Sequence, residues 1–284
     1  MRFLLVGGTG FFGSALKLEL ERLGASVLTI ARGRLSSTPP DYALDVVANG
    51  MELEHLLRSG DTVVYLVARS PLWRPLGGRK AYRQAHLSGA IQCLQAGGRA
   101  GIRRFVYVSA LGVERGCGAA YAETKARTEA ILRESSTPTS VIAPSILFDE
   151  ESEIVQALEL LCRFPWVPIP KIEVPFRPIH RRDAARIVAA ALLQEKVPGR
   201  IELTGPEKLT FTEVAETYLL PRGIRVYPMP RLVSTLAIAL LSRLKLPGLP
   251  SELRGMLSID NAGAPPAVAG EMAEMTHFSD WALP

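Results

Sequence analysis

The stretch Gly7-Gly8-Thr9-Gly10-Phe11-Phe12-Gly13 decides the fold of this chain. It follows the apolar run Phe3–Val6, which predicts a strand, and it opens Gly13–Leu23, whose periodicity predicts a helix. Its glycines fit both G-x-G-x-x-G and G-x-x-G-x-x-G spacing. Glycine permits a tight turn, a close approach of the backbone to a ligand, and close packing of a helix on a strand. A strand-to-helix turn without any ligand is the alternative interpretation.

Strands and helices alternate through the first half of the chain. Further strands are predicted over Ser26–Ile30, Thr62–Val67 and Phe105–Ser109, and one more starts with Ser140–Ile142. Helices are predicted over Ala81–Ala100 and Tyr121–Arg133. This alternation predicts an α/β protein with a Rossmann-type, doubly wound parallel sheet, in which ligands bind at the carboxyl ends of the strands. The first helix would then present its free N–H groups to the pyrophosphate of a dinucleotide.

The regular alternation of predicted strands and helices ends after Phe148. Phe164–Pro170 is too rich in proline to form a helix, because proline lacks the N–H donor. A helix is predicted over Ala184–Gln194 with Asp183 as its N-cap. A strand over Ile201–Leu203 and a helix over Thr212–Leu220 follow. We therefore expect an NAD(P)-binding Rossmann domain over residues 1–148 and a smaller substrate or cap region over 149–284, with the helix 183–195 packing back onto the first domain.

The end of the second strand indicates which dinucleotide binds. NAD-binding proteins usually place Asp or Glu there, about 20 residues after the glycines, to hold the ribose 2′-hydroxyl. This chain instead has Thr29-Ile30-Ala31-Arg32-Gly33-Arg34. The Arg32 guanidinium suits a 2′-phosphate through forked, charge-assisted hydrogen bonds, and Arg34, with Ser36 and Ser37, would add contacts. The sequence predicts NADP(H) as the preferred cofactor, and NAD(H) stays open as the alternative.

Three residues form a candidate catalytic set. Tyr121 and Lys125 stand at i and i+4, on one face of a predicted helix, and Ser109 ends a predicted strand at the carboxyl edge of the sheet. A tyrosine hydroxyl has a pKa near 10, and a neighbouring ammonium is expected to lower it. Tyr121 would transfer the proton, Ser109 would bind the substrate oxygen, and Lys125 would hold the nicotinamide ribose. The alternative is that Tyr121 packs on the sheet and Lys125 is solvated.

Composition restricts the class of protein. The chain has 284 residues, of which 48% are hydrophobic and 21% charged, as in an ordinary globular protein. Its net charge is +5, but the arginines are scattered and no aromatic-basic repeat occurs, so nucleic-acid binding is not predicted. Cys93, Cys117 and Cys162 lack metal-ligand spacing and are expected to be reduced thiols, with no metal site, in the cytoplasm. Glycine interrupts the first apolar run, so no secretory signal is expected.

These motifs together resemble a known family. The glycine loop, Ser109 and Tyr121-x-x-x-Lys125 are similar to those of the short-chain dehydrogenases/reductases, which transfer hydride between a nicotinamide cofactor and a carbonyl or hydroxyl group. Asp45-Val46 resembles the adenine-contacting pair of the extended or atypical, epimerase/dehydratase-like branch. In that branch a strand similar to Val64–Ala68 lines the cofactor. The resemblance implies that Asp45, Val46, Val67 and Ala68 bind the dinucleotide.

A narrower resemblance covers nearly the whole chain. Phe105–Gly112, Ala143–Phe148 and Leu203–Glu207 look like segments of bacterial relatives of the nucleotide-binding accessory subunit of respiratory complex I. The segment Arg177–Ala185 resembles the V-H-V-x-D-V-A segment of the extended branch. The narrower resemblance implies that Pro144 contacts the cofactor and that the protein contacts a respiratory complex.

Two positions depart from the family pattern and leave alternatives open. His86 stands where short-chain enzymes often have Asn in a proton relay, and Ala143 stands where relatives commonly have Arg. The main prediction is an NADP(H)-dependent oxidoreductase acting on a small carbonyl, hydroxyl or quinone-related substrate. The first alternative is a non-catalytic NADPH-binding accessory or assembly protein. The second, a sugar-nucleotide epimerase or dehydratase, is disfavoured by Arg32 and the short second half. His180 and Asp183 are expected to be structural.

One apolar segment bears on location. Leu232–Arg243 is apolar enough to lie on a bilayer but too short to span one, and the structural alternative is a helix that closes the substrate domain. We expect a cytoplasmic protein with a small-molecule substrate. Peripheral contact with the inner face of a membrane and homo-oligomer formation both stay open.

Overall fold

A computed structural model describes residues 1–33, 39–70, 78–116, 118–171, 173–230, 233, 262–263 and 274–284. Arg34, Ser36, Ser37 and Cys117 lie outside the described residues, and so does the segment Leu232–Arg243 apart from Val233. The expectations for those positions therefore stay predictions.

Strands are numbered here in chain order. They are β1 (Arg2–Val6), β2 (Ser26–Ala31), β3 (Tyr42–Ala43), β4 (Thr62–Tyr65), β5 (Arg104–Val108), β6 (Thr139–Pro144), β7 (Leu147–Phe148), β8 (Trp166–Pro170), β9 (Pro175–Phe176), β10 (Ile179–His180), β11 (Arg200–Leu203), β12 (Leu209–Thr210) and β13 (Arg225–Met229). Seven of them form one sheet in the order β11-β6-β5-β4-β1-β2-β3, and every neighbouring pair is parallel. The predicted doubly wound sheet is confirmed.

Helices are numbered in the same way. They are α1 (Phe11–Arg22), α2 (Val46–Asn49), α3 (Gly78–Tyr82), α4 (Gly89–Ala100), α5 (Ala120–Arg133), α6 (Glu153–Leu161), α7 (Arg181–Leu192) and α8 (Phe211–Leu219). Short 3-10 helices cover Gly50–Leu56, Val113–Arg115 and Leu220–Arg222, a π-helix covers Arg83–Ser88, and a single turn of helix, Phe278–Trp281, lies near the C-terminus. Among the described residues no helix is both long enough and apolar enough to cross a bilayer.

The order of the strands places the site. The chain runs from β1 outward to β2 and β3, and it then returns to the other side of β1 to build β4, β5, β6 and finally β11. The direction reverses between β1 and β4, where open parallel sheets form a crevice at the strands' carboxyl ends. The glycine loop follows β1 directly and therefore lies at this crevice.

Apolar side chains on the two faces of the sheet form two separate cores. On one face, α1 packs against α7 through residues such as Leu16, Leu20, Ala185 and Val188. On the other face, α4 packs through Ala90, Cys93 and Leu94, together with Leu53 from a 3-10 helix. The helix expected near residues 183–195 corresponds to α7, which packs against α1.

A third core belongs to the second half of the chain. It unites α6, α8 and the strand pairs β8–β13 and β9–β12 with the C-terminal helix, whose Phe278 is fully buried. The stretch Phe164–Pro170, whose prolines excluded a helix, contains the strand β8. The boundary at residue 148 is not a clean division, because α7 and β11 from beyond it complete the first layer and the central sheet.

One local prediction was wrong, and another was right but incomplete. Asp183 lies in the first turn of α7, and the N-cap is His180, whose Nδ1 accepts a hydrogen bond from the Arg182 N–H. Ala81–Ala100 is helical as predicted, but the π-helix Arg83–Ser88 interrupts the regular α-helix. The wider turn leaves backbone carbonyls of Ala85 and His86 for the hydroxyls of Tyr65 and Tyr107, at 2.6 and 3.1 Å.

Candidate functional site

The glycine loop is a close-packed turn that admits no side chains at three positions. Gly7 has a φ of +87°, and a Cβ there would lie 3.1 Å from the Val67 nitrogen. A Cβ on Gly8 would lie 2.8 Å from the side chains of Leu5 and Thr29, and one on Gly13 would lie 2.7 Å from the Gly7 carbonyl oxygen. The loop therefore brings bare backbone to the crevice, as a pyrophosphate site requires.

The start of α1 suits an anion. The helix begins at Phe11 after Gly10, which has no side chain to cap the first amides, and no acidic residue occurs in the first turn. The Gly10 N–H is used within the loop, where it donates to the Gly7 carbonyl at 3.0 Å. Uncapped first-turn amides and the positive end of the helix dipole favour a phosphate there. Thr9, Phe11 and Phe12 lie in or directly after this loop, as the sequence predicted.

Arg32 lies just beyond β2 and is exposed. Within the residues that the structure describes it makes no ion pair. Sequence reasoning overlooked Asp41, whose carboxylate accepts hydrogen bonds from the N–H and the hydroxyl of Thr29, at 2.8 and 2.6 Å. These bonds lower the pKa of Asp41. The Asp41 carboxylate is thus engaged with β2 through Thr29.

The remaining predicted cofactor contacts lie at ends of neighbouring elements. Val67 and Ala68 follow β4, and the backbone of Val67 lies against Gly7. Pro144 is buried at the end of β6, where its carbonyl accepts from the Leu111 N–H at 2.9 Å. Asp45 is exposed and caps α2, with its Oδ1 accepting from the Val47 N–H at 3.1 Å, and Val46 is buried beside it.

Ser109 presents a buried hydroxyl with unused hydrogen-bonding capacity. It follows β5 directly, and its backbone N–H donates to the Ile142 carbonyl at 2.7 Å. The side chain is 3% exposed, and its Oγ has no hydrogen-bond partner among the described residues. Buried polar groups in proteins are almost always hydrogen-bonded, so the unused capacity of this hydroxyl is unusual.

Lys125 is fully buried beside Ser109. Its Nζ donates to the carbonyl of Val108, at 2.9 Å, and stands 5.4 Å from the ring centres of both Tyr107 and Tyr121. Burial lowers the pKa of the Lys125 ammonium to about 7, although the negative charge of Glu129 acts in the opposite direction. Lys125 therefore loses its proton at a much lower pH than a solvent-exposed lysine does.

Tyr121 does not behave electrostatically as the sequence suggested. Burial raises the pKa of its phenol above the ordinary value, and the nearby Glu153 and Tyr82 raise it further. The expected lowering by Lys125 is wrong for this geometry, because the ammonium points to the Val108 carbonyl and burial dominates. Tyr121 is a neutral phenol at physiological pH, packed edge-on against His86 and Tyr82 with ring centres 5.1 and 6.0 Å apart.

His86 fills the position where Asn was expected. It is completely buried, and its Nε2 accepts a hydrogen bond from the Arg69 N–H at 3.1 Å, so the proton lies on Nδ1, 3.0 Å from the Thr124 hydroxyl. Burial lowers the pKa of His86 well below its usual range, and the charge of Lys125 adds to this. The backbone carbonyl of His86 accepts from the hydroxyls of Tyr107 and Thr128, at 3.1 and 2.9 Å. The imidazole is therefore fixed and neutral, and it packs beside Tyr121.

Sequence reasoning missed two polar residues next to Tyr121. The Ser70 hydroxyl donates a hydrogen bond to the carboxyl group of Glu153, and the Tyr82 hydroxyl donates to the Ser70 carbonyl at 3.4 Å. Burial raises the pKa of Glu153. Ser70 follows β4, and Glu153 begins α6 from the second half of the chain. No motif joins them in sequence, and only the fold brings them to one place. No group of three or more His, Cys, Asp or Glu in the described part of the chain is arranged to hold a metal ion.

Comparison with known proteins identifies the family. Residues 7–195 match the model of a family described as NAD(P)H-binding. The chain belongs to this NAD(P)H-binding family. The match begins at the glycine loop, includes Ser109, Tyr121 and Lys125, and ends just after α7.

Curated relatives of this NAD(P)H-binding protein are subunits of complex I. The mitochondrial NADH-ubiquinone oxidoreductase 40 kDa subunit of Neurospora crassa is 21% identical over 220 residues, which are 74% of this chain and 57% of that protein. The mitochondrial NADH dehydrogenase (ubiquinone) 1 alpha subcomplex subunit 9 of Rattus norvegicus is 25% identical over 241 residues, 80% of this chain and 63% of that protein. The chain thus spans less than two thirds of the length of these relatives. The predicted resemblance to the complex I subunit is confirmed.

Solved structures share the fold over almost the whole chain. The human epimerase family protein SDR39U1, solved with NADPH, has a TM-score of 0.71 and 21% identity, covering 96% of this chain and 93% of that chain. The UDP-glucose 4-epimerase of Thermus thermophilus, solved with NAD, has a TM-score of 0.66 and 18% identity, covering 99% of both chains. The predicted epimerase/dehydratase-like fold is confirmed, and this fold holds either dinucleotide.

Proposed function

We propose that this protein is an NADP(H)-dependent oxidoreductase that moves hydride between the cofactor and a small carbonyl, hydroxyl or quinone-related substrate. The observation that carries the proposal is the buried Ser109 hydroxyl, which lacks a partner among the described residues. Leaving a buried hydroxyl unsatisfied costs about 1–3 kcal/mol, and a substrate oxygen would supply the missing bond. Tyr121 and Lys125 lie on the helix that packs beside it.

The residues of the crevice fit a dinucleotide. Three glycines leave no room for side chains, the first turn of α1 has free amides, and Arg32 is exposed beyond β2. Arg32 would bind a 2′-phosphate, which supports NADP(H) over NAD(H). The bound nicotinamide supplies the hydride, and the protein supplies the binding, the orientation and the proton.

The proton chemistry favours reduction of a carbonyl. A phenol with a raised pKa keeps its proton at neutral pH, so Tyr121 acts as the acid that protonates the substrate oxygen as hydride arrives. Ser109 donates a hydrogen bond to the same oxygen. Lys125 holds the backbone of Val108, and thereby the position of Ser109.

Substitution of Tyr121 tests the mechanism. NADPH oxidation is followed at its absorbance maximum against a panel of aldehydes, ketones and quinones, and NADPH affinity is followed by its fluorescence. Tyr121→Phe is expected to abolish turnover and leave NADPH affinity within about twofold, because the phenol hydroxyl moves a proton rather than holding the cofactor. Tyr42→Phe, at an exposed tyrosine on β3, is the matched control and is expected to keep both properties. Full turnover by Tyr121→Phe would rule out the mechanism.

A second function is an accessory or assembly protein that holds NADPH without turning it over. It is supported by the complex I relatives and by the fixed, neutral His86 where a relay Asn was expected. NADPH that co-purifies and is never oxidised by any member of the panel would favour it, and steady turnover would exclude it. Sugar-nucleotide epimerase or dehydratase chemistry is the third candidate, supported by fold neighbours but disfavoured by the position of Arg32.

The proposal also covers the location of the protein in the cell and its partners. We place the protein in the cytoplasm, with contact to a respiratory complex at the inner face of a membrane as its relatives suggest. Flotation with liposomes of neutral and of anionic composition tests the membrane contact, and recovery only in the soluble fraction contradicts it. Sedimentation velocity tests whether the chain forms a homo-oligomer.

A further inference from the structure

A buried acidic side chain lies one helical turn beyond Lys125. Glu129 occupies position i+4 on α5, and its side chain is 2% exposed. Its Oε2 forms an ion pair with Arg200 Nη1 at 2.6 Å, and Arg133 Nη2 lies 3.8 Å away. Its other oxygen, Oε1, is buried without a hydrogen-bond partner among the described residues. Burying a charged carboxylate costs free energy unless another interaction compensates, so this position of Glu129 calls for an explanation.

Arg200 alone does not neutralise Glu129. The guanidinium comes from the edge strand β11, and it also pairs with Glu114 through Nη2 at 3.2 Å and with Glu202 through Nε at 3.1 Å. Arg200 is thus shared among three carboxylates, of which Glu129 also has Arg133 nearby. Arg200 holds the Glu129 carboxylate in place, and the negative charge of Glu129 favours the protonated form of Lys125.

The groups that face Lys125 are otherwise neutral. They are Tyr121 on its own helix, Tyr107 on β5 and His86 on the π-helix. Burial raises the pKa of both tyrosines and lowers the pKa of His86, so all three are uncharged at neutral pH. Glu129 is the described side chain whose charge opposes the effect of burial on Lys125.

We infer that Glu129, fixed by Arg200, is the positioning residue that keeps the Lys125 ammonium charged in its buried site. The inference rests on the cofactor-holding part of the proposed function, in which a charged Lys125 contributes to dinucleotide binding. It does not require turnover. Without Glu129, Lys125 would lose its proton at a lower pH, and NADPH affinity would fall at and above neutral pH while affinity at pH 6 is retained.

A double-mutant cycle with Lys125 separates this role from a merely structural one. NADPH dissociation constants are measured by fluorescence at pH 6 and pH 8 for the wild type, Glu129→Gln, Lys125→Met and the double variant. Glu129→Gln is expected to weaken binding roughly threefold to tenfold at pH 8 and by less than about twofold at pH 6, since one pKa unit corresponds to a tenfold change in protonation. In the Lys125→Met background the same change is expected to have no pH-dependent effect. Titration of the cofactor's own phosphate cancels in these ratios.

Matched variants make the outcome decisive. Glu123→Gln removes an exposed charge from the same helix and is expected to bind as the wild type does at both pH values. Should Glu129→Gln fail to fold, Glu129→Gln with Arg200→Gln removes both members of the buried ion pair and is expected to change affinity in the same direction by less. The inference is overturned if the pH 8 loss persists in the Lys125→Met background, if it is equal at both pH values, or if Lys125→Met itself leaves binding unchanged. Loss of turnover with these binding results intact would contradict only the proposed reaction.

Discussion

Lys125 donates a hydrogen bond from its Nζ to the carbonyl oxygen of Val108, 2.9 Å away, so the lysine anchors the peptide that carries Ser109. The same Nζ stands over the ring of Tyr121, one turn earlier on α5. One side chain therefore links the strand that ends at Ser109 with the helix that presents Tyr121. This link makes the three predicted catalytic residues one structural unit.

Ser109→Ala is expected to raise stability and lower activity together. The substitution removes a buried hydroxyl that has no described partner, so the free energy of unfolding should rise by about 1 kcal/mol, while turnover falls about a hundredfold through loss of a hydrogen bond to the reacting oxygen. Urea unfolding and initial rates measure the two effects. Ser140→Ala is the control, since the buried Ser140 hydroxyl accepts from Arg104 at 3.0 Å and its removal should destabilise. A less stable Ser109→Ala protein contradicts the account of this hydroxyl.

Arg32→Ser is expected to change the choice of cofactor. NADPH affinity should fall about tenfold or more, because a charged contact to the 2′-phosphate is lost, and NADH affinity should stay the same. Isothermal titration with both nucleotides measures the change. Arg99→Ser removes another exposed arginine, from α4, and should alter neither affinity. Equal losses for NADPH and NADH would show that Arg32 does not read the 2′-phosphate.

Gly13→Ala is expected to damage the dinucleotide site. A Cβ at Gly13 would lie 2.7 Å from the Gly7 carbonyl oxygen, so the loop must shift, at a cost of about 1–3 kcal/mol and with loss of NADPH binding. Gly199→Ala, where a Cβ meets nothing within 4 Å, is the control and should be neutral. Thermal unfolding and NADPH titration compare the pair. Wild-type NADPH binding by Gly13→Ala would place the cofactor elsewhere.

His86 is expected to make the protein sensitive to acid. Burial holds the pKa of His86 well below its usual range in the folded protein, while in the unfolded chain it takes a proton near pH 6.5. The unfolded state therefore binds more protons below pH 6.5, and stability falls there by up to about 1.4 kcal/mol per pH unit. Urea unfolding at pH 7.5, 6.5 and 5.5 should show a shallower fall for His86→Asn. His55→Asn, at an exposed histidine, should keep the wild-type slope. Equal slopes for all three proteins argue against this role.

Local patterns predicted the parts of the site that local geometry determines. The glycine loop and the Tyr121–Lys125 spacing depend on one turn and one helix, and both were placed correctly on their elements. The charge state of Tyr121, by contrast, depends on burial and on Glu153, which arrives from the second half of the chain. The π-helix at His86 depends on hydroxyls from β4 and β5. Glu153 and the π-helix follow from tertiary packing, which no short stretch of sequence contains.

The most direct test of the account is mass spectrometry of the nucleotide released from the purified protein, before and after exposure to the carbonyl and quinone panel. The account predicts that the wild type, loaded with NADPH, releases NADP⁺ after exposure to a substrate, and that the Tyr121→Phe protein releases NADPH unchanged. Release of NAD(H) from freshly purified protein, or unchanged NADPH from the wild type after every member of the panel, would contradict it.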